Sequence, residues 1–165
     1  MPQPAPFSIS RIFKAPRSLV WQVLTEPEHV GNWLSPEGFR TIHTAMDFRV
    51  GGTYHYGLEG PGGMQMWGKQ TFREIVPQEK IVYLQSFSDK SGGLSRHPMA
   101  PTWPLEMLAM TICEEVGAET KVTITWEPYN SDDAGNVTFD ASRAGMAIGF
   151  GGTFAKLEAY LAGLV

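Results

Sequence analysis

The sequence predicts an α+β protein: a strongly curved antiparallel sheet of seven strands wrapped around a long C-terminal helix, with two short helices after the first strand. Three observations predict it. From Phe39 to Glu127 apolar residues alternate with period two, in runs separated by Gly- and Pro-rich turns. From Phe139 onward they step as Phe139, Met146, Phe150, Phe154, Leu157, Leu161 and Leu164, one face of a helix. A meander of antiparallel strands must bury one face, and that helix, apolar along its length, is the partner at hand.

The elements follow in chain order. Phe7–Lys14 alternates as a strand and stops at Ala15-Pro16, where Pro16 suits the first turn of a helix. Leu19, Val20, Val23 and Leu24 give that helix its apolar face up to Thr25, and Glu26-Pro27 breaks it. A second short helix follows, Glu28–Leu34. The six remaining strands are Arg40–Phe48, Thr53–Glu59, Met64–Val76, Ile81–Ser88, Leu105–Glu114 and Thr120–Glu127. Gly51-Gly52, Gly60-Pro61-Gly62-Gly63, Pro77-Gln78 and Val116-Gly117-Ala118 read as tight hairpin connections.

Asp89–Pro104 is different. It reads as one long loop holding Gly92, Gly93, Pro98, Pro101 and Pro104, between two strands expected to be adjacent. A sheet curved around the C-terminal helix would enclose a volume between them. Long ordered loops in compact domains often cover sites, so this one is expected to cover a mouth of that cavity, with Trp103 and Met99 as its apolar anchors. A second loop, Pro128–Gly135, leads into the final helix, Thr138–Leu164. About 22 helical residues would reach roughly 33 Å. Gly145, Gly149, Gly151 and Gly152 lie inside it, at ~1 kcal/mol each against alanine. Packing must therefore hold this helix, and its bare middle faces either a close backbone or empty space.

Length and composition fit a single domain over 1–165, with an ordered core of about 7–163. Net charge is −4 and no Lys/Arg cluster interleaves with aromatics, so nucleic acid is not an expected partner. No apolar run approaches the ~20 residues of a membrane span. Met1–Pro6 is proline-rich and has no charged-then-apolar leader pattern. The single Cys113 cannot form an internal disulfide. It reads as a buried small apolar residue in a cytoplasmic protein.

The sequence names no catalytic residue, no metal ligand and no cofactor motif. Ser8, Ser10 and Ser142 lack a nucleophile-elbow context. His29, His43, His55 and His97 show no metal-ligand spacing, although His43 and His55 fall on neighbouring predicted strands and can face each other. The soft apolar inventory is what stands out: 8 Met, 9 Phe, 5 Trp and 5 Tyr. Such residues either fill a core or line a pocket that adapts to an apolar ligand. With Phe72 inward, Met64, Met66 and Gln70 turn in with it; the opposite parity buries Trp67 instead. Tyr83 and Phe87 share a face with Ile81 and Gln85. Met110 sides with Leu108 and Ile112, and Trp126 with Val122 and Ile124. Trp33, and Met146, Phe150 and Phe154 from the helix, complete the candidate ligand-binding set.

Several motifs carry a family resemblance. Ile12-Phe13-Lys14-Ala15-Pro16-Arg17, then Val20-Trp21, Leu24-Thr25-Glu26-Pro27-Glu28 and Trp33, resembles the opening of the START-like (SRPBCC) superfamily. Within it, the chain is similar to the group resembling the C-terminal domain of the heat-shock protein 90 ATPase activator. Asp47-Phe48-Arg49-Val50-Gly51-Gly52 resembles that group's Asp-x-Arg-x-Gly-Gly, and Glu74-Ile75-Val76-Pro77 its Glu-Ile-x-Pro. Gly149-Phe150 through Leu157 to Leu161 resembles its terminal pattern, with Phe150 where tryptophan is usual. The resemblance implies the helix-grip fold. It leaves activity open among a non-catalytic binder of a small hydrophobic molecule, a co-chaperone-like module with a chaperone or homodimer partner, and an aromatase/cyclase-type enzyme.

Overall fold

The computed structural model describes residues 3–36 and 38–164. Strand β1 (Phe7–Phe13) is followed by helices α1 (Arg17–Thr25) and α2 (Pro27–Val30). Six strands come next: β2 (Arg40–Met46), β3 (Thr53–Glu59), β4 (Gln65–Val76), β5 (Lys80–Ser88), the two-residue β6 (Leu94–Ser95) and β7 (Glu106–Val116). The chain ends with β8 (Glu119–Tyr129), α3 (Asp133–Ala141) and α4 (Arg143–Ala162). Strand order is β1-β8-β7-β5-β4-β3-β2, all antiparallel, with β6 pairing β5 to one side. This is the helix-grip arrangement. Strand β6 had no signal of its own, because two polar-flanked residues show no periodicity.

The C-terminal helix is not continuous from Thr138. It is broken at Ser142, whose φ of −98° and ψ of 5° leave the helical region. The Ser142 hydroxyl donates to the Thr138 carbonyl at 2.7 Å, a local bond that competes with the helix ladder. Upstream, the Asp132 carboxylate caps α3 by accepting from the Gly135 amide at 2.7 Å. Phe139 therefore belongs to α3, although it shares the sheet-facing side with the α4 residues. The second short helix is shorter than the expected Glu28–Leu34. It ends at Val30 and continues as turns that bring Trp33 inward.

Two packed clusters hold the layers together. The larger joins Phe13, Val20, Val23, Phe72, Val122, Phe154 and Leu157; the smaller joins Phe7, Met107, Phe139 and Met146. Both use α4, one at each end of it. Between them lies the glycine-rich middle of the helix, where a Cβ placed on Gly145, Gly149, Gly151 or Gly152 meets nothing within 4 Å. Close backbone approach is thus not what these glycines serve: Gly145, Gly149 and Gly152 are exposed, and of the four Gly149 alone lines the cavity between helix and sheet.

The face of β7 differs from the one expected. Leu108, Met110 and Ile112 are its larger apolar residues, yet Met107, Ala109, Thr111 and Cys113 point to the core. Pairing with the neighbours decides this. Ala109 lies opposite both Tyr83 and Trp126, and Thr111 opposite both Ile81 and Ile124; residues directly opposite share a face. Small residues at Ala109 and Thr111 leave room for those large neighbours. Cys113 is buried in this row at 2% exposure, and burial pushes its thiol up to about 12 against the opposing pull of Arg17. A thiol reagent at pH 8 will accordingly leave the folded protein unlabelled and react only on unfolding. Prompt labelling of the folded chain would show that β7 opens to solvent.

Candidate functional site

A cavity of about 360 Å³ lies between the concave face of the sheet and α4, within the range of small-molecule sites. The turn motifs shape one wall. Asp47 N–H donates to Thr53 O at 2.8 Å, Gly52 N–H donates to Arg49 O at 2.8 Å, and across to β4 Gly51 N–H donates to Phe72 O at 2.9 Å while Phe72 N–H donates to Gly52 O at 3.0 Å. The Asp47–Arg49 ion pair at 2.6 Å sits outside on the exposed turn. Inside the turn, Phe48 packs edge-on against Phe72 at 5.0 Å and against Trp21 of α1 at 6.1 Å. The Asp-x-Arg-x-Gly-Gly stretch thus presents Phe48 to the cavity. Glu74 pairs with Lys80 at 2.9 Å beside the Pro77 turn, a bond across the hairpin.

Most of the residues singled out from the sequence converge here. Trp33 lines the cavity with its indole N–H held by the Val23 carbonyl at 2.9 Å. Met66 and Phe72 line it from β4, and Tyr83 and Phe87 from β5. Trp126 comes from β8 and meets Phe150 of α4 edge-on at 4.9 Å. Met146 closes the end near α3.

Two residues of the set lie elsewhere. Met110 sits on the outer face of β7, for the pairing reason given above. Phe154 is 1% exposed and buried in the main cluster, edge-on to Phe13 at 5.5 Å with the Arg11 guanidinium over its ring. One turn beyond Phe150, α4 already touches the sheet, which leaves no room for a cavity there.

Sequence reasoning missed two lining residues with a polar role, Tyr56 and Thr111, the latter 3.4 Å from the Tyr83 hydroxyl, and it turned Gln70 and Gln85 inward without showing that they bond. Alternation gave Tyr56 and Thr111 no more weight than their neighbours. Gln70 donates to Gln85 Oε1 at 3.1 Å, and Gln85 Nε2 donates to the Tyr56 hydroxyl at 2.9 Å. Burial pushes the Tyr56 phenol up to about 12, and Tyr83 is likewise raised, so both stay protonated at neutral pH. Among the described residues that line the cavity, none carries a charge. His43 and His55 do meet, ring centres 5.0 Å apart, but on the outer face against Trp67, and no cluster of three metal-ligating side chains exists among the described residues.

The long connection 89–104 is tied down at both ends. Asp89 accepts from the Ser91 and Gly93 amides, and β6 pairs with β5. Trp103 lines the cavity and packs on Phe139 at 6.1 Å. Met99 is not an anchor: it is 79% exposed. His97 takes the place next to Trp103, its ring 4.6 Å from Phe87 and its Nδ1 accepting from the Met99 and Ala100 amides at 3.0 and 3.1 Å. Burial lowers the pKa of His97 from its ordinary 6.5. The packed loop therefore favours neutral His97. Its stability is complete above pH 6.5 and is lost as pH falls through the lowered value. Trp103 emission will shift between pH 7.5 and pH 5, measured against a Trp103→Phe control. A flat difference signal would show that His97 does not hold this loop.

An open antiparallel sheet gripping one helix over an apolar cavity defines a START-like protein. The model of the Activator of Hsp90 ATPase homolog 1-like protein family matches residues 14–162, and the chain belongs to that family. Solved structures share the fold. A protein of Nitrosomonas europaea is 22% identical with a TM-score of 0.74, covering 95% of this chain and 94% of that one. One from Rhodobacter sphaeroides is 17% identical with a TM-score of 0.78, covering 99% of each chain. The AHSA1 protein of Silicibacter pomeroyi is 15% identical with a TM-score of 0.72, covering 96% of this chain and 98% of that one. None of the curated proteins matches the chain. No helix among the described residues is long and apolar enough to cross a membrane.

Proposed function

We propose that the protein binds a small hydrophobic molecule in the cavity between sheet and α4, without catalysing its conversion. The observation that carries this is the cavity itself: about 360 Å³, walled by aromatic and methionine side chains and uncharged throughout its described lining. A space of this size inside a close-packed protein forfeits contact energy, and an apolar ligand restores it. Gly149 lines the cavity and is also exposed, so the entrance runs beside the middle of α4. The 89–104 connection covers the side marked by Trp103.

Native mass spectrometry of the protein purified from cells tests this directly. A copurifying small molecule is expected, and it must be absent from a blocked variant. Gly149→Leu is that variant. A Cβ there meets nothing, leucine favours the helix by ~1 kcal/mol over glycine, and the larger side chain obstructs the mouth. Its melting temperature will hold or rise while ligand uptake falls at least tenfold. Unaltered uptake would move the entrance elsewhere; no uptake of any apolar molecule by the wild type would end the reading.

A second reading is a co-chaperone-like docking module, in keeping with the activator of the Hsp90 ATPase for which the family is named. The half-buried stripe of Leu84, Leu108 and Met110 on the outer sheet face favours it. A saturable complex with a chaperone, abolished by Met110→Glu while the cavity still takes up ligand, would support this reading independently.

A further inference from the structure

Across β3, β4 and β5 a hydrogen-bonded polar row crosses the mainly apolar wall. Gln70 and Gln85 stand opposite each other in the β4–β5 register, and Tyr56 stands opposite Gly68 in the β3–β4 register. Tyr56 reaches the row only because position 68 has no side chain. A Cβ on Gly68 would lie 2.3 Å from the Tyr56 hydroxyl oxygen and ring. The phenol therefore lies across β4 and accepts from Gln85 at 2.9 Å, and Gln85 accepts from Gln70 at 3.1 Å. The donors run one way along this row and end at the Tyr56 O–H. That proton has no acceptor among the described residues. A hydroxyl has one donor and two acceptor sites, so Tyr56 has its donor left to give. A half-buried donor facing a largely apolar space is costly to leave unmade.

We infer that the cavity selects a neutral, largely apolar molecule carrying an acceptor oxygen, such as a carbonyl, that the Tyr56 hydroxyl binds. This rests on the ligand-binding reading above. Neutrality follows from the lining: a carboxylate or ammonium entering it would lose its hydration and meet no opposite charge. Specificity from one or two placed polar groups in an apolar wall is the usual economy of such sites. Burial keeps the Tyr56 proton in place through neutral pH. The row Gln70–Gln85 orients the phenol, and these two are positioning residues.

Three tricyclic probes of one ring system test the inference on the full chain: fluorene, 9-fluorenone and fluorene-2-carboxylate, whose charged group lies in the ring plane, titrated with tryptophan quenching as the readout. Fluorenone is expected to bind about three- to tenfold more tightly than fluorene, the worth of one net hydrogen bond, and the carboxylate more weakly than either. Tyr56→Phe will bring fluorenone down to the fluorene affinity and leave fluorene unchanged, with thermal unfolding checked for both proteins. Equal binding of fluorene and fluorenone by the wild type would overturn the inference and leave the cavity reading standing. So would tightest binding of the carboxylate, or a Tyr56→Phe variant that keeps the fluorenone preference. Failure of all three probes to bind would overturn the cavity reading, and the inference with it.

Discussion

Phe154→Ala will lower the free energy of unfolding by ~3–5 kcal/mol, measured by urea denaturation with an unchanged slope. Phe154 is fully enclosed, edge-on to Phe13 of β1 and beneath the Arg11 guanidinium. It lies where α4 meets the sheet with no intervening space, so truncation opens a void the neighbours cannot close. Phe150→Ala is the contrast. Phe150 is half-buried and already borders a cavity, so the same truncation enlarges an existing space and costs less. A loss below about 1 kcal/mol for Phe154→Ala would remove α4 from the centre of the stability.

Gly52→Ala will destabilise by about 3 kcal/mol. A Cβ at position 52 would lie 2.0 Å from the Asp47 carbonyl oxygen and 3.0 Å from that of Arg49. Both obstacles are backbone and cannot rotate away, so the hairpin itself must open. That displaces Phe48 from Phe72 and Trp21, and the cavity wall moves with it. Gly145→Ala provides the control. Nothing stands within 4 Å of its added methyl, and the substitution will stabilise by up to about 1 kcal/mol. Equal melting temperatures for the two variants would mean that the turn has freedom its geometry denies.

These two glycines illustrate what was legible in the sequence. The Gly-Gly turn and the order of strands could be read because turn chemistry and alternation are local. Thr53–Glu59 was read to the residue as β3; the parity of β4 was left open by the sequence, and the structure turns in Met66, Gln70 and Phe72 while Met64, before the strand, is exposed. The parity of β7 was not legible. Leu108, Met110 and Ile112 outweigh Met107, Ala109 and Thr111 in apolar bulk, and only the pairing with β5 and β8 reverses the choice. Nor was the limit of the cavity. Phe150 and Phe154 are equivalent by spacing, but only one of them lies where the sheet has curved away from the helix. Tyr56 was invisible for a third reason: its role depends on a side chain that is missing at Gly68, one strand over.

The sheet begins and ends on neighbouring strands, and this has a consequence for how the chain is made. Strand β1 hydrogen-bonds along β8, with Phe7 opposite Trp126 and Phe13 opposite Thr120. On a ribosome, Phe7 emerges about 120 residues before its partner, several seconds ahead at ordinary rates of synthesis. During that time β1 and its two helices have no sheet to join, and Phe7, Ile9 and Phe13 wait with their apolar faces open. The strands from β2 to β5 can zip as each appears, since they pair largely with their neighbours in sequence. Closure of the sheet waits for its last strand in the sequence and joins that strand to its first. The N-terminal strand is thus the clasp of the sheet, and the nascent chain stays adhesive until β8 and then α4, which covers Phe7 and Phe13, are complete.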